Sequence, residues 1–205
     1  MIRIAAALAL AASTLAAQEG GETYFVGHGD KFVNISFESE ADLETIVGHT
    51  NKAAGEVVVN AAKETGFVSL TVPVQSMKTG IDMRDEHLRS PMWLDEAKFA
   101  EIAFQSKKVE KVKDKPGRFA VAGDFTMHGV TKEISCEVES KELPADAVKR
   151  AKFPEGKWLK FTTQLRIRLS DHGVKIPDVG AGKVNDEWTV KITVFAGTAK
   201  LPDKK

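Results

Sequence analysis

One stretch decides the fold of this chain: residues 158–170, which read WLKFTTQLRIRLS. Every second residue, counted from the leucine at the second position, is apolar except for one threonine, and the residues between them are Lys, Thr, Gln or Arg. Successive side chains of a β-strand point to opposite faces, so this alternation predicts one long strand with a buried face and an exposed face. The same period of two recurs at 33–38 and 188–194 and predicts two more strands.

Weaker alternation predicts the rest of an antiparallel sheet. These further strands are expected at about 22–26, 54–60, 66–74, 101–109, 118–127 and 131–142. The total is then roughly eight or nine strands. Residues 113–117 and His128-Gly129 lie between predicted strands and have the composition of tight turns. We therefore expect hairpins there and antiparallel pairing between neighbours.

Three segments lack the strand pattern. Residues 41–47 and residues 144–152 are each predicted to form about two turns of helix. Residues 81–99 form a longer insertion outside the sheet. The expected apolar anchors of this insertion are Leu88, Met92 and Leu94.

Strands with one apolar and one polar face can bury the apolar faces in two ways. Two sheets can pack into a sandwich, or one sheet can close into a barrel. A barrel of about eight strands has an interior that side chains can just fill or that can hold one small ligand. The strand pattern therefore predicts an all-β fold and leaves both choices open.

Composition excludes several classes of protein. The 205 residues include 29 Lys and Arg and 29 Asp and Glu, with 42% hydrophobic and 28% charged residues. These values are typical of a globular domain and not of a disordered chain, collagen or a coiled coil. A formal net charge of zero provides no basic field for a phosphate backbone, so no nucleic-acid partner is expected. No repeat or change in composition indicates a second domain.

Residues 1–17 have the layout of a secretory signal peptide. Arg3 precedes a short apolar run, and small residues follow it. We expect cleavage after Ala16 or Ala17, which leaves a mature domain of residues 18–205. The apolar run is far shorter than the roughly 20 residues of a membrane-spanning helix, so no stable membrane anchor is expected. The alternative is an N-terminal amphipathic helix of the domain.

The single cysteine is predicted to be structural. Cys136 has no partner within the chain for a disulfide bond. It shares a strand face with Ile134 and Val138, which favours a buried small hydrophobe over a nucleophile.

The sequence contains no recognisable catalytic, nucleotide-binding or metal-binding motif. Four of the five histidines neighbour a glycine; these four are His28, His49, His128 and His172. Such positions favour turns with solvated or capping histidines, and the alternative is a metal or haem site formed by converging loops. We expect no enzymatic activity, no cofactor and no bound metal.

The densest polar cluster, residues 76–90, begins a series of motifs that resembles a known family. The motifs are, in order, Thr79-Gly80, Arg84-Asp85, His87-Leu88, Ser90, Phe99, the strand IAFQS at 102–106 and GDFTMHGVT at 123–131. In order and spacing they resemble the YceI-like family of exported lipid-binding proteins, over essentially the whole mature chain. Two departures are Phe99-Ala100-Glu101, where the family usually has an aromatic residue followed by Pro, and residues 171–177, which are longer and more polar than in many members.

This resemblance implies an extended, antiparallel, lipocalin-like barrel of about eight strands with short helices and one longer insertion. It implies a periplasmic protein whose apolar interior binds a polyisoprenoid or a similar amphiphilic lipid. It carries no catalytic residues with it.

The pattern alone favours a filled core, whereas the resemblance makes the apolar strand faces candidate ligand-binding residues. The candidates are Val33, Ile35, Phe37, Phe104, Phe119, Val121, Phe125, Leu165, Ile167, Val190, Ile192 and Val194. Within the polar cluster, Arg84 or His87 could donate to a lipid head group, with Ser76 and Thr79 assisting. The alternative is that this cluster only fastens the insertion to the end of the sheet.

Three functions remain open at this point. The first is a periplasmic carrier, monomeric or homodimeric, for an isoprenoid or other long-chain lipid of the quinone or polyprenyl phosphate class. The second is a periplasmic redox-associated or metal-associated protein that uses the loop histidines, in electron transfer with a bound quinone. The third is a closed module that binds partner proteins on its outer face and has a filled interior.

Overall fold

The structure is a computed structural model and describes residues 20–199, almost all of which belong to or connect the strands of one antiparallel sheet. The described strands are β1 (Glu22–Val26), β2 (Val33–Glu40), β3 (Thr45–Thr50), β4 (Ala54–Asn60), β5 (Thr65–Pro73), β6 (Glu101–Lys111), β7 (Arg118–Met127), β8 (Val130–Glu142), β9 (Trp158–Arg168) and β10 (Glu187–Gly197). The α-helices of the described residues are α1 (Asp82–Arg89) and α2 (Ala145–Arg150). The predicted signal peptide lies outside the described residues.

The sheet closes into a barrel because β10 pairs with both β1 and β2. Phe25 lies opposite Gly197, and Val33 lies opposite Val194. Strands β1 and β2 therefore share one position of the barrel wall, beside β10. Strands β4 and β3 share the next position, because β4 pairs with β1 and β3 pairs with β2. The sheet of ten strands thus closes as an antiparallel barrel with eight positions. The barrel that the family resemblance implied is confirmed.

The two predicted hairpins are present. His128 and Gly129 connect β7 to β8, and both have positive φ angles, 50° and 73°. A two-residue hairpin with left-handed backbone at both positions matches the twist of its strands, and glycine adopts this conformation without strain. The turn between β6 and β7 spans residues 112–117 and ends at Gly117, which also has a positive φ angle.

One end of the barrel is covered by the insertion between β5 and β6 and by the segment between β9 and β10. Leu88 of α1 and Leu94 are buried with Leu169 and Trp188 in one apolar cluster. We call this region the capped end. The prediction that Met92 anchors the insertion is wrong, because its side chain is 58% exposed.

The prediction of helix at 41–47 is also wrong. Strand β3 begins at Thr45, opposite Glu40 of β2. Thr45, Ile46 and Val47 are β-branched and therefore favour extended backbone when a strand edge is available to pair with them. The helix predicted within 144–152 is present as α2, where Val148 packs against Phe32 and Trp158. In the described part of the chain, no helix is long and apolar enough to cross a membrane.

Candidate functional site: an apolar cavity inside the barrel

The barrel interior is hollow. The cavity reaches from Phe125 and Ile102 near the capped end to Thr65, Val109 and Phe119, which lie beside the hairpins of the opposite end. The cavity has a volume of about 170 Å³, counted as the space that the centres of water-sized groups can occupy. One such group needs about 10–15 Å³ of this space, so the cavity can hold a chain of about a dozen methylene-sized groups.

Eight of the twelve apolar residues predicted from the strand pattern line this cavity. These eight are Ile35, Phe104, Phe119, Val121, Phe125, Leu165, Ile192 and Val194. The other four pack within the apolar clusters instead. Phe37, Ile167 and Val190 pack in the cluster at the capped end, where the Phe37 ring stacks on Trp188 with their centroids 5.1 Å apart. Val33 is buried in a second cluster with Tyr24 and Ala196.

A large part of the cavity wall lies on β4, β5 and β8 and was not predicted from the sequence pattern. Missed wall residues include Val57, Val59, Val68, Leu70, Val72, Ile134 and Val138. In β4 three consecutive valines, residues 57–59, hide the alternation, so the sequence does not indicate which face is inside. In β5 the alternation of Val68, Leu70 and Val72 was a usable signal, because it predicts a strand with one apolar face.

Among the described residues, the cavity wall has no charged side chain and only a few polar ones. The wall residues with polar side chains are Thr65, Cys136, Ser140 and Thr163. The Thr163 hydroxyl donates a hydrogen bond to the backbone oxygen of Glu137 at 2.8 Å. Burial raises the pKa of the Cys136 thiol, and an interaction with Thr163 offsets this only in part. Cys136 is therefore a neutral thiol at neutral pH, as expected of an inert side chain, but it is only partly buried where the sequence predicted burial.

The four candidate head-group residues do not line the cavity. Ser76 and Thr79 follow the end of β5 and lie at the capped end. The Ser76 hydroxyl donates to the backbone oxygen of Pro73 at 2.6 Å and lies 2.7 Å from the Thr50 hydroxyl. Arg84 forms an ion pair with Glu44. These contacts connect the insertion to β3 and to the loop between β2 and β3, which supports the fastening role that the sequence left as an alternative.

Asp85 is buried at the centre of the contacts that hold the insertion in place. Thr79 donates to the Asp85 carboxylate through its backbone N–H at 2.6 Å and through its hydroxyl at 2.8 Å. The Lys78 ammonium lies 3.6 Å from the other carboxylate oxygen. Burial by itself raises the pKa of Asp85, but the two hydrogen bonds and the lysine outweigh burial and hold the pKa below its ordinary value. The fourth candidate, His87, is an exposed residue of α1.

Two of the histidines, His128 and His172, are neighbours in the structure, and His28 lies apart from them. His28 lies against the Trp158 ring, with centroids 4.7 Å apart, and burial lowers its pKa. The Nδ1 of His172 donates to the backbone oxygen of Val130 at 2.9 Å, and His128 contacts the backbone oxygen of His172. Within residues 20–199, no group of three or more His, Cys, Asp or Glu residues could hold a metal ion. None of these positions favours the redox or metal hypothesis.

Comparisons with known proteins agree with the barrel. Residues 30–196 match the YceI-like domain. A UPF0312 protein of Shewanella sp. strain ANA-3 is 30% identical over 167 residues, which cover 80% of this chain and 82% of the relative.

Solved structures share the fold at low sequence identity. The crystal structure of Burkholderia cenocepacia BcnA has a TM-score of 0.69 at 19% identity and covers 82% of this chain and 98% of its own. A polyisoprenoid binding domain from Saccharophagus degradans, implicated in plant cell wall breakdown, has a TM-score of 0.64 at 15% identity and covers 86% of this chain and 98% of its own. Together with the match over residues 30–196, the barrel and the motif series establish that this chain belongs to the YceI-like family.

Proposed function

We propose that this protein binds an isoprenoid or other long-chain lipid in the cavity of the barrel and carries it through the periplasm. The observation that carries this proposal is the hollow, apolar interior. A protein of this size normally packs its core to the density of an organic crystal, so a continuous apolar space is a feature that needs an explanation. The description of the Saccharophagus degradans neighbour as a polyisoprenoid binding domain supports the same class of ligand.

Lipid burial alone provides enough energy for binding. Each buried methylene group contributes about 0.8 kcal/mol, so about a dozen such groups contribute about 10 kcal/mol before the entropic cost of association. A hydrocarbon tail needs no hydrogen bonds, which suits a wall that offers almost none. The mechanism that we propose is partition of the tail into a preformed cavity, with no bond made or broken.

The uncharged wall also restricts the part of the ligand that is buried. A phosphate buried without a cation or several hydrogen-bond donors would be strongly unfavourable. We therefore infer that the buried portion is neutral. A phosphate, if the ligand has one, remains outside the cavity, and a quinone or alcohol head group can be partly enclosed near Ser140 and Thr163.

Extraction of the native protein tests the ligand class directly. Protein purified without detergent is extracted with organic solvent, and the extract is analysed by mass spectrometry. We expect one long-chain lipid per chain. As a control, urea-unfolded and refolded protein is extracted in the same way and should yield none until lipid is added back. An extract without lipid, together with a delipidated protein that fails to bind N-phenyl-1-naphthylamine, an uncharged dye that fluoresces in apolar surroundings, would contradict the proposal.

Location in the periplasm is the second part of the proposal and is supported by the signal-peptide layout of residues 1–17. Osmotic-shock fractionation of cells that produce the full chain should release the protein with the periplasmic fraction. Recovery with the cytoplasmic fraction would contradict export.

A further inference from the structure

Two neighbouring strands of the cavity wall separate along more than half of the longer strand. Residues Val138–Glu142 of β8 pair with residues Leu159–Thr163 of β9. Beyond this paired stretch, toward the capped end, residues 130–137 of β8 and residues 164–168 of β9 have no main-chain pairing with each other, although both segments remain strands. We call this gap the window. By contrast, the eleven residues of β9 are all paired with β10 on their other side.

A hydrogen bond between the two sides bounds the window at each end. At its lower end, the pair formed by Val138 and Thr163 is reinforced by the hydrogen bond from the Thr163 hydroxyl to the Glu137 oxygen. At its upper end, the turn after β9 is fastened to β8, because His172 donates to the backbone oxygen of Val130. Between these two bonds, the Cys136 side chain interacts with Thr163 at the lower edge of the gap, and in the described residues no hydrogen bond or ion pair joins residues 130–135 of β8 to residues 164–168 of β9.

The cavity lies directly behind the window. Ile134 and Cys136 of β8 and Leu165 of β9 belong to the unpaired segments, and all three line the cavity. All three are only partly buried. A lipid tail that passes here therefore has to displace apolar side chains, which can change rotamer, and does not have to break a ladder of main-chain hydrogen bonds.

The neighbouring strands β5 and β6 are also incompletely paired, but a hydrogen bond and an ion pair connect the two sides of the unpaired stretch. Pairing of β5 with β6 also stops before the strands end, at Ser69 opposite Gln105. There, however, the backbone N–H of Val68 donates to the Ser106 hydroxyl at 2.8 Å. Farther along, Lys111 and Glu64 form an ion pair at 2.5 Å. In the part of the chain that the structure describes, the β8–β9 window has no such bridge beyond the Cys136–Thr163 interaction at its lower edge.

We propose that the window between β8 and β9 is the passage through which the lipid enters and leaves the cavity. This inference rests on the proposed lipid-binding function and adds its route. It requires the strands to move apart where they are already unpaired, while the rest of the barrel stays closed. For a lipid with a charged head group that enters tail first, it also places that head group at the outer rim of the window, where Ser135, Gln164 and Arg166 are exposed.

The test cross-links β8 to β9 across the window and measures the rates at which a ligand enters and leaves the cavity. Ser135→Cys and Arg166→Cys are combined in a Cys136→Ala background and joined by a short bis-maleimide. Ser135 and Arg166 lie on the two facing segments. The matched control retains Arg166→Cys but joins it to Thr189→Cys on β10, its partner in a seam that is already paired. Both proteins are delipidated and measured before and after cross-linking, so that each protein serves as its own reference.

The probe is N-phenyl-1-naphthylamine, and stopped-flow fluorescence gives its entry and exit rates. Cross-linking the window should slow both rates at least tenfold and leave the Kd within twofold, because closing a route changes kinetics and not the bound state. Cross-linking the control should change neither rate. Equal rates in the two cross-linked proteins would overturn the passage while leaving lipid binding intact. Failure of the uncross-linked proteins and of the parent to bind the dye would overturn the proposed function together with its route.

Discussion

Val121→Phe separates a ligand cavity from an ordinary core. Val121 is only 4% exposed, lines the cavity and belongs to none of the apolar clusters of the barrel. Its side chain therefore borders open space on one side. Val190 on β10 is the matched control, because it packs against two of the clusters and does not line the cavity.

The expected magnitude follows from the size of the cavity. Replacing Val by Phe adds about four carbon groups, which occupy about a third of the space available to the ligand. A lipid that can no longer bury about four methylene groups loses about 3 kcal/mol, and its affinity falls roughly a hundredfold. The ring fills empty space, so the unfolding free energy of the delipidated Val121→Phe protein should change by less than about 1 kcal/mol. Val190→Phe should instead lose about 1–3 kcal/mol through overpacking.

Urea unfolding of the delipidated proteins and titration with N-phenyl-1-naphthylamine provide the two measurements. We expect opposite outcomes for the two variants: weak binding with normal stability for Val121→Phe, and reduced stability with near-normal binding for Val190→Phe. If Val121→Phe is as unstable as Val190→Phe and binds the dye like the parent, the interior is a filled core and the cavity has no functional meaning.

Four further predictions concern other parts of the chain. Arg84→Ala removes an ion pair with Glu44 that is partly exposed, so it should cost no more than about 1 kcal/mol in urea unfolding and leave dye affinity unchanged; a large loss of affinity would restore a head-group role. Asp85 has a lowered pKa in the folded protein, so its stabilising contribution is present above the unfolded pKa of about 4 and is lost as the pH falls through the folded value. Asp85→Asn should therefore destabilise the protein at pH 7, and its difference from the parent should shrink below about pH 4; a constant difference would contradict this. Cys136 should react with iodoacetamide much more slowly than glutathione at about pH 7.5, since its raised pKa leaves little thiolate, and bound dye should slow it further; a rate equal to that of glutathione would refute this. The intact mass of the exported protein should correspond to a chain that begins at Ala17 or Gln18, and a mass that includes Met1 would exclude cleavage.

Local features of the fold were predictable because they depend on neighbouring residues. The alternation in 158–170 predicted β9, and the His128-Gly129 turn predicted the hairpin between β7 and β8. Prediction failed where local signals compete. Residues 45–47 could be assigned to a short helix until the edge of β2 was known, because the pairing partner that makes them a strand lies outside the segment.

The candidate site was predictable only in part. A period of two identifies the apolar face of a strand, and two thirds of the predicted lining does border the cavity. The same period contains no information on whether the facing side chains touch. Phe37 and Val194 both occupy apolar positions of an alternating strand, yet Phe37 stacks on Trp188 while Val194 borders open space.

By itself, the sequence determined the all-β class, the turns, the insertion and the family, because each of these is specified by residue types at short spacing. Only the tertiary structure decided that the sheet closes, that its interior is hollow, that the polar cluster fastens the capped end and that β8 and β9 separate at the window. The physical reason is that the width of a barrel and the gaps in its wall depend on the number and stagger of all its strands together. No single strand carries that information, since each pairing register depends on a partner far away in the chain.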